Sequence, residues 1–474
     1  MSKRWLLINP PTGEYIRDTR CQASVNDAIA VVERAPVDLA YIAGEISENG
    51  HKCFLRDYPA EKMDWDDLIR DIKYYKINYI VINTTIFTYV DDLKVCGMCK
   101  KIDANIITIG KGAVFFHEPE KIMKQFPDLD IAVARDEERV FGEISSSPDN
   151  YDAIENIIYR KNGVIVTNPK HISSSFQLKP PQIELINHRL YKRPDTGQMQ
   201  ATIVVGRGCS GKCIYCVAPL IGGNIVRYRS ISEILSEIKL YYSKYGIDNF
   251  YFSADNFTFD HKWVLQFCQE INKLEFKISW LCTARADSIS EDLISAIKQA
   301  GCWGVSIGVE SGSEKIQKLI KKNLTKSKIM KAVSICKKYE VITLLHFMIG
   351  FPWEKAIHVE ATIKLAKKLK GNIMEFYVVT PFPGTKLYNI IQDNRNLMVR
   401  KNILYTNQTK PTLNTFYLTA EEIDKLRKKA IRTIYTNPFF YFNELKYIHS
   451  FRQLKCCIKF FCRKVFRIII SCRR

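Results

Sequence analysis

The chain has 474 residues, of which 46% are apolar, and it carries a formal net charge of +20. This length favours two to four domains with ordinary packed cores, and no apolar run reaches the roughly 18 residues that a membrane-spanning helix needs. The N-terminus lacks a signal-peptide layout, and the 15 cysteines are an odd number scattered along the chain, unlike a secreted disulfide framework. We therefore expect a cytoplasmic protein with free thiols.

Residues 1–145 alternate short apolar strands with helical stretches. The predicted strands are RWLLINPP, HKCFLRDY, YIVINTT, NIITIGKG and LDIAVAR, and the predicted helices lie near 36–49, 61–76, 88–101 and 117–126. This alternation predicts parallel strands with crossover helices, hence an α/β, doubly wound, Rossmann-like domain. Ligands of such sheets bind beyond the carboxyl ends of the strands, which here include Thr84, Thr85, Gly110, Lys111 and Gly112.

Residues 146–199 are predicted to form a connector. The segment NIIYRKNGVIVTN is typical of a small hairpin that turns at Asn162-Gly163, and a polar stretch containing prolines follows it.

Residues 200–395 show a second series of strand–helix units. The predicted strands are TIVV, NFYFSA, KISWLCT, GVSIGV, ITLLHFMI and MEFYVV, and helical patterns cover 230–245, 260–273, 290–300, 313–339 with a break near Leu324, and 356–370. Six units are fewer than the eight of a closed barrel, so we expect a partial (β/α)6 TIM barrel with its functional groups at the carboxyl ends of the strands.

Residues 396–474 are predicted to be a helical extension. Thr419 followed by Glu422 is a capping-box pattern at the start of one helix. The last part, from Lys446, interleaves bulky apolar residues with nine basic residues and no acid: Lys446, Arg452, Lys455, Lys459, Arg463, Lys464, Arg467, Arg473 and Arg474.

Three cysteines follow the first barrel strand within the sequence GRGCSGKCIYC. Cys209, Cys213 and Cys216 are spaced C-x3-C-x2-C, and the neighbouring glycines let backbone approach a bulky group. A structural zinc normally takes four protein ligands, and a fourth is not visible nearby. A four-iron cluster uses one ligand per iron, so three cysteines leave one iron open to another molecule. Structural zinc and free thiols remain the alternatives.

The motifs after this loop resemble a known family. The segments FYFSADNFTF, TARADSI, AGCWGVSIGVESGSEKIQKLIKKNLT, HFMIGFPWE and TPFPGTKLY are similar to the successive strand-end motifs of one branch of the radical S-adenosylmethionine (SAM) superfamily. That branch carries an N-terminal cobalamin (B12)-binding domain and includes radical methyltransferases and the anaerobic Mg-protoporphyrin monomethyl ester cyclase. The resemblance covers roughly residues 1–390.

The resemblance implies roles for individual residues. Cys209, Cys213 and Cys216 would ligate a [4Fe-4S] cluster whose open iron binds SAM, and Tyr215 matches an aromatic residue near the adenine. Arg285, Glu310, Gly350 and Phe351 are candidates for further SAM contacts. The alternatives are packing for Tyr215, a structural network of Arg285 and Glu310 with each other or with Asp255, and a tight turn at Gly350. The Cys96 and Cys99 pair on a predicted helix is interpreted as packing.

The same resemblance implies cobalamin binding by the N-terminal domain, near Thr84, Thr85, Gly110 and Gly112. This chain departs from the family pattern in three places. It has Gly110-Lys111-Gly112 where relatives have a Gly-Gly pair, ARDEE where they often have Gly-Glu-Gly-Glu, and no Asp-x-His-x-x-Gly motif to give a histidine to cobalt. The alternative is a degenerate domain that only shapes the substrate cavity.

The implied function is reductive cleavage of SAM to a 5′-deoxyadenosyl radical, followed by cobalamin-dependent methylation of an unactivated carbon in a lipophilic or secondary-metabolite substrate. The alternatives are radical cyclisation or rearrangement without methyl transfer, and a non-catalytic iron–sulfur electron carrier. Expected partners are a small molecule and an electron donor such as flavodoxin or ferredoxin, and no nucleic acid. Residues 446–474 are interpreted as a peripheral contact with the inner membrane face, with a solvated helix as the alternative.

Overall fold

The computed structural model describes residues 2–18, 22–29, 32–135, 138–147, 150–399 and 408–466, and the chain divides into two compact units. The first unit comprises Met1–Gln22, Glu33–Tyr191 and Leu220–Gly223, and the second comprises Ala23–Val32, Lys192–Pro219 and Asn224–Arg474. The sequence assigned residues 23–32 to the N-terminal domain, whereas their contacts group them with the second unit. One such contact is the backbone N–H of Ile29, which donates to the Glu375 carboxylate.

The first unit is built on a seven-stranded sheet. Its strands are β1 (Arg4–Asn9), β2 (Lys52–Asp57), β3 (Tyr79–Asn83), β4 (Ile107–Lys111), β5 (Ile131–Val133), β6 (Ile157–Lys161) and β7 (Val164–Thr167). Its helices are α1 (Val37–Glu48), α2 (Tyr58–Glu61), α3 (Trp65–Tyr75), α4 (Tyr89–Asp92), α5 (Lys94–Ile102), α6 (Pro119–Gln125) and α7 (Arg139–Ser146).

The strand order in this sheet is β2-β1-β3-β4-β5-β6-β7, and the first five strands are parallel. The order reverses between β1 and β3, which makes that point the topological switch where doubly wound sheets bind ligands. Both strands are buried apolar runs, and the Trp5 and Tyr79 rings stack across them with centroids 4.0 Å apart. The predicted doubly wound sheet is confirmed.

The predicted hairpin turns where the sequence indicates, since Asn162 and Gly163 both have positive φ, 51° and 80°, as a type I′ turn requires. Its first strand, β6, pairs antiparallel with β5. The hairpin therefore extends the sheet, whereas the sequence assigned it to a connector, because the pairing between distant strands was not readable from the local pattern.

The second unit is built on a six-stranded parallel sheet. Its strands, in both chain and spatial order, are β8 (Ala201–Val204), β11 (Asn249–Ser253), β12 (Ser279–Ala284), β13 (Cys302–Glu310), β14 (Ile342–Ile349) and β15 (Ile373–Val378). A short antiparallel pair, β9 (Gly206–Arg207) and β10 (Arg227–Tyr228), and helix α8 (Ala218–Gly222) flank the cysteine loop. β8 and β15 are the two edges, so the predicted open, partial barrel is confirmed.

Helices follow the barrel strands as expected. They are α9 (Ile231–Tyr245), α10 (His261–Ile271), α11 (Glu291–Gln299), α12 (Glu314–Leu319), α13 (Lys326–Lys338), α14 (Ala356–Leu369) and α15 (Lys386–Asp393), and the extension adds α16 (Ala420–Tyr435), α17 (Pro438–Leu445) and α18 (Phe451–Phe460), which continues as a π-helix, Phe461–Phe466. The capping box of Thr419 and Glu422 is present at the start of α16.

Helix boundaries differ from prediction where a cap interrupts an apolar pattern. The predicted helix 61–76 begins only at Trp65, because the Asp64 side chain caps the start of α3 and the preceding α2 ends at Glu61. The predicted helix 88–101 breaks at Leu93. The break near Leu324 is confirmed, because Asn323 has a positive φ of 58° and the Thr325 side chain caps α13.

Parts of the ARDEE stretch and of the basic C-terminal segment lie outside the described part of the chain: Asp136, Glu137, Arg467, the apolar Ile468, Ile469 and Ile470, Arg473 and Arg474. In the part that the structure describes, no helix is both long enough and apolar enough to cross a membrane.

Candidate functional site

The cysteine loop is held at the carboxyl end of the barrel strands by backbone hydrogen bonds. The Ile214 N–H donates to the Ile320 carbonyl at 3.1 Å, and the Leu387 N–H donates to the Ile214 carbonyl at 2.9 Å. Ile214 is buried in a cluster with Ile320 and Leu387. The buried Ile214 therefore anchors the loop to the barrel, while the three cysteines of the loop remain partly exposed.

Gly211 lies between two of the cysteine sulfurs. Its N–H donates to Cys209 Sγ at 3.4 Å, and a Cβ at Gly211 would lie 3.2 Å from Cys209 Sγ and 3.9 Å from Cys213 Sγ. Only glycine leaves this space free for an inorganic group. Burial raises the pKa of the Cys209 thiol and raises that of Cys216 to about 12, so both stay protonated at neutral pH until metal binding displaces the proton.

A cation faces this loop from the end of β12. Arg285 Nη1 lies 3.9 Å from Cys213 Sγ, and the same guanidinium makes two 2.9 Å hydrogen bonds to the Asp287 carboxylate. Burial lowers the pKa of Arg285, but the Asp287 carboxylate outweighs it and the net shift is upward. A fixed positive charge beside a sulfur ligand stabilises its thiolate, so this donor set fits an iron–sulfur cluster.

In the described residues no three His, Cys, Asp or Glu side chains converge on one ion position. A cluster does not need such convergence, because each cysteine binds a separate iron.

Glu310 at the end of β13 forms a buried ion pair. Its carboxylate accepts from Lys322 Nζ at 2.9 Å, and both side chains are about nine-tenths buried. Glu310 has φ of +65° at a bulge in the pairing with β14, a conformation that costs energy and often marks a functional position. A Cβ at Gly308 would lie 2.9 Å from Lys322 Nζ and still closer to Glu310, so the pair lies over that glycine.

Lys322 joins the two predicted SAM-contacting residues. Its carbonyl accepts from Arg285 Nη2 at 3.1 Å, while its ammonium group binds Glu310. Burial lowers the pKa of Lys322, but the Glu310 and then the Cys213 charges outweigh it and raise it. The structural network suggested by the sequence is therefore present in a different form: Arg285 pairs with Asp287 and Glu310 with Lys322.

Tyr215 and Phe351 pack together beside this ion pair, with ring centroids 5.7 Å apart. Burial, followed by the nearby Glu310 carboxylate, raises the pKa of Tyr215 well above its ordinary value. Phe351 follows Gly350, whose φ of +104° requires glycine.

The loop after β14 is closed by an acid that the sequence analysis did not single out. Glu354 Oε2 accepts from the N–H groups of Gly350 and Phe351, at 2.7 and 3.3 Å, while its Oε1 is buried with no hydrogen-bond partner among the described residues. Burial raises the pKa of Glu354 to about 7. The tight-turn interpretation of Gly350 thus has a structural basis, and the N–H groups of this turn are already occupied.

The barrel sheet presents a partly open inner face. Tyr251, Leu281 and Leu344 pack together there at the amino-terminal side. Towards the carboxyl ends, the strand register places Ser306, His346 and Tyr377 on the same face, and all three are partly exposed. Ser306 Oγ and His346 Nε2 are 2.7 Å apart, and the His346 and Tyr377 rings stack at 5.9 Å. Ser306 lies opposite Leu344 in the strand register, so apolar and hydrogen-bonding groups lie side by side on this face.

The N-terminal sheet shows why the predicted glycines are needed at its carboxyl edge. A Cβ at Gly112, where φ is +134°, would lie 2.5 Å from the Thr84 carbonyl, and one at Gly110 would lie 2.5 Å from the Phe115 ring. The Thr84 hydroxyl donates to the Lys111 carbonyl at 2.8 Å, and the Thr85 and Thr88 hydroxyls are 2.8 Å apart. These residues brace the edge internally.

The same edge holds charged and amide groups. Lys111 is buried and forms an ion pair with Asp38. Asn83, at the end of β3, donates to Asn9 Oδ1 at 2.9 Å, while its own Oδ1 is buried without a hydrogen-bond partner among the described residues. An orphaned acceptor at the switch point fits a site that receives a donor from a bound group.

Sequence reasoning missed Lys322, Asp287, Glu354, His346 and Ser306. Asp287 and Glu354 lie inside motifs that were recognised, two and three residues from predicted site residues, so hydrogen-bonding reach was an available signal. Lys322 lies twelve residues from its partner Glu310, and only the tertiary fold brings them together.

A comparison with known protein families identifies the class of domain in the second unit. Residues 203–366 match the family model described as the Radical SAM superfamily. This part of the chain is a radical SAM domain. The family and enzyme class predicted from the sequence are confirmed.

Curated relatives narrow the likeness to one branch. An uncharacterized methyltransferase of Pyrococcus horikoshii is 28% identical over 451 residues, which cover 94% of this chain and 95% of the relative. An anaerobic magnesium-protoporphyrin IX monomethyl ester cyclase of Rubrivivax gelatinosus is 22% identical over 379 residues, covering 76% of this chain and 66% of the relative.

Solved structures share the fold. The radical SAM methyltransferase TsrM of Kitasatospora setae, with cobalamin and a [4Fe-4S] cluster bound, superposes with a TM-score of 0.69 at 14% identity, covering 100% of this chain and 99% of that one. The cobalamin-dependent radical SAM enzyme OxsB, with aqua-cobalamin and SAM bound, gives a TM-score of 0.69 at 13% identity and covers 96% and 72%. These likenesses confirm the predicted combination of a Rossmann-like domain with a partial barrel.

Proposed function

We propose that this enzyme is a cobalamin-dependent radical SAM methyltransferase acting on an unactivated carbon of a small molecule. The observation that carries the proposal is the pairing of a three-cysteine loop, open at Gly211 and faced by Arg285, with a doubly wound sheet of order β2-β1-β3-β4-β5. The uncharacterized methyltransferase, which matches nearly the whole chain, supports methylation.

In the barrel, Cys209, Cys213 and Cys216 would hold the cluster. With one iron left open, such a cluster would bind SAM and, when reduced, would supply the electron for cleavage of its carbon–sulfur bond. Arg285 keeps positive charge at the Cys213 sulfur, and the Glu310–Lys322 pair sets polar groups beside Tyr215. Because the pair is internally neutral, it can offer both a donor and an acceptor to the zwitterionic end of SAM.

In the first unit, the switch point between β1 and β3 would hold cobalamin. Bound cobalamin supplies a carrier for the methyl group. Thr84, Thr85, Gly110 and Gly112 would act by shaping the edge, since their hydroxyls and close packing are used internally. Asn83 Oδ1 is the group that remains to accept a hydrogen bond.

The inner face of the barrel would contact the substrate. His346 and Ser306 would offer hydrogen bonds beside the apolar residues Tyr251, Leu281 and Leu344. This combination suits a mainly apolar molecule with one or two polar groups, consistent with a lipophilic or secondary-metabolite substrate.

The second candidate is radical cyclisation or rearrangement without methyl transfer, which the similarity to the cyclase of Rubrivivax gelatinosus favours. The two candidates differ in the fate of the SAM methyl group. Methylation would consume a second SAM molecule as methyl donor and leave S-adenosylhomocysteine, whereas cyclisation would need only the SAM whose cleavage leaves the methyl group in methionine.

The test is anaerobic reconstitution with iron, sulfide and hydroxocobalamin, followed by SAM carrying a labelled methyl group and a chemical reductant. We expect 5′-deoxyadenosine and a labelled methylcorrinoid. Cys213→Ala should abolish 5′-deoxyadenosine formation, and Cys336→Ala, at a buried cysteine of α13, serves as the matched control. Deoxyadenosine formation without any labelled corrinoid would reject methylation and favour the second candidate, and absence of both would reject the proposal.

A further inference from the structure

The helix α18 carries an exposed surface that neither SAM cleavage nor methyl transfer requires. One side of the helix is attached to the second unit. Cys457 Sγ donates to the Asp195 carbonyl at 3.7 Å, Cys456 Sγ lies 3.3 Å from the Cβ position of Gly197, and the Phe461 ring meets Tyr441 edge to face at 5.0 Å. These contacts fix which side of the helix is turned outward.

The outward side combines apolar and basic residues. Phe451 is 83% exposed and Ile458 is 55% exposed, and the two lie seven residues apart, which is two helical turns on one face. Lys455 and Lys459 are also exposed, and their spacing of four residues places them together beside the apolar pair. Arg452 is exposed as well, but its guanidinium donates to the Gly197 carbonyl at 3.4 Å, so it belongs to the attached side.

The positive charge of this C-terminal segment indicates what kind of partner the exposed surface binds. Between Lys446 and Arg474 the sequence has nine basic residues and no acid, so nothing within this segment neutralises the two lysines. A helix with Lys and Arg beside exposed Phe and Ile is the pattern that lies in the interface of an anionic membrane, with the apolar residues among acyl chains and the cations at lipid phosphates. Nucleic acid would use the cations but gives an aliphatic side chain such as Ile458 no partner.

We infer that the outward side of α18, formed by Phe451, Lys455, Ile458 and Lys459, binds the surface of an anionic lipid membrane. This inference is independent of the proposed reaction, because it concerns a surface on the C-terminal extension and no cofactor. Binding would be reversible, since one short amphipathic surface provides only modest affinity.

The experiment is sedimentation of the reconstituted full-length enzyme with vesicles of phosphatidylglycerol and phosphatidylcholine, and with vesicles of phosphatidylcholine alone. We expect binding to the anionic vesicles that weakens at high salt. Lys455→Gln with Lys459→Gln should weaken it about 30-fold, from roughly 1 kcal/mol per basic residue near the surface. Phe451→Ser with Ile458→Ser should weaken it by at least about tenfold at both salt concentrations.

Matched controls come from surfaces elsewhere in the second unit. Ile357, 71% exposed on α14, changed to Ser, and the exposed Lys239 and Lys244 of α9, changed to Gln, should bind like the wild type. Iron content after reconstitution reports folding, and Phe451→Ser alone replaces the double variant if that variant loses iron. Equal binding by all variants, no binding to anionic vesicles, or displacement by duplex DNA or RNA with tighter binding to it would overturn the inference.

Discussion

The buried acid Glu354 should make the stability of the barrel depend on pH near neutrality. Its carboxylate is fully buried, one oxygen accepts from the N–H groups of Gly350 and Phe351, and the other has no hydrogen-bond partner among the described residues. Burial disfavours the charged form more than the two donors favour it, so the pKa rises from 4.5 to about 7.

The sign of the effect follows from proton binding. Between these two values the folded protein holds a proton that the unfolded chain has lost, so the free energy of unfolding falls as pH rises. Each pKa unit corresponds to about 1.4 kcal/mol, and the rise from 4.5 to about 7 therefore amounts to about 3 kcal/mol. This loss of stability is absent well below pH 4.5 and complete above about pH 8.

Glu354→Gln removes the titration and keeps an oxygen that can accept from the same two N–H groups. The difference in unfolding free energy between the variant and the wild type should grow by about 2.5 kcal/mol in favour of the variant from pH 5 to pH 8. Urea unfolding of the apo protein, followed by tryptophan fluorescence at several pH values, measures it. Glu421→Gln, at an exposed position of α16, is the control and should parallel the wild type. Parallel pH curves for Glu354→Gln and the wild type would refute the reasoning.

Three further changes test the sites directly. Gly211→Ala places a methyl group against two cysteine sulfurs, so reconstituted iron content and the cluster's visible absorption should fall well below half of wild type. Lys322→Met leaves the buried Glu310 carboxylate unpaired and should cost about 3–5 kcal/mol in urea unfolding and weaken SAM binding measured by calorimetry. Gly112→Ala, which is both crowded and at positive φ, should destabilise the first unit by several kcal/mol, whereas Gly50→Ala, at φ of +75° with open space around it, should cost only about 1–2 kcal/mol.

Most of the fold could be predicted because its signals are local. Strand β3, YIVIN, is buried at all five positions, and a continuous apolar run is typical of a strand covered on both faces. The break between α12 and α13 was predictable for a similar reason, since Thr325 is a side-chain cap that acts within three residues. The pairing of β6 with β5 was not predictable, because the partner of a strand is chosen by the tertiary fold.

The candidate site likewise contains residues that could be predicted from local sequence and residues that could not. The cysteine spacing and Arg285 were found because the residues lie in compact motifs at strand ends. The residues that pair with them were not predicted. Asp287 lies only two residues from Arg285, so its hydrogen bond was within local reach. Lys322, in contrast, reaches Glu310 only because α12 turns the chain back over β13. Motifs therefore name the residues of such a site, while the ion pairs that set its electrostatics come from the fold.

The carboxyl edge of the N-terminal sheet also owes its charge balance to a tertiary ion pair. The departure from the family pattern at Lys111 is compensated within the domain, because Asp38 on α1 pairs with the buried ammonium group. A lone buried lysine would be costly, whereas a paired one can be tolerated at a sheet edge. The carbonyl of the same residue accepts from Thr84, so Lys111 holds β4, α1 and the loop after β3 together. This departure from the family pattern therefore builds a rigid edge, and Asn83 Oδ1, unpartnered among the described residues, is the group that we propose accepts a hydrogen bond from bound cobalamin.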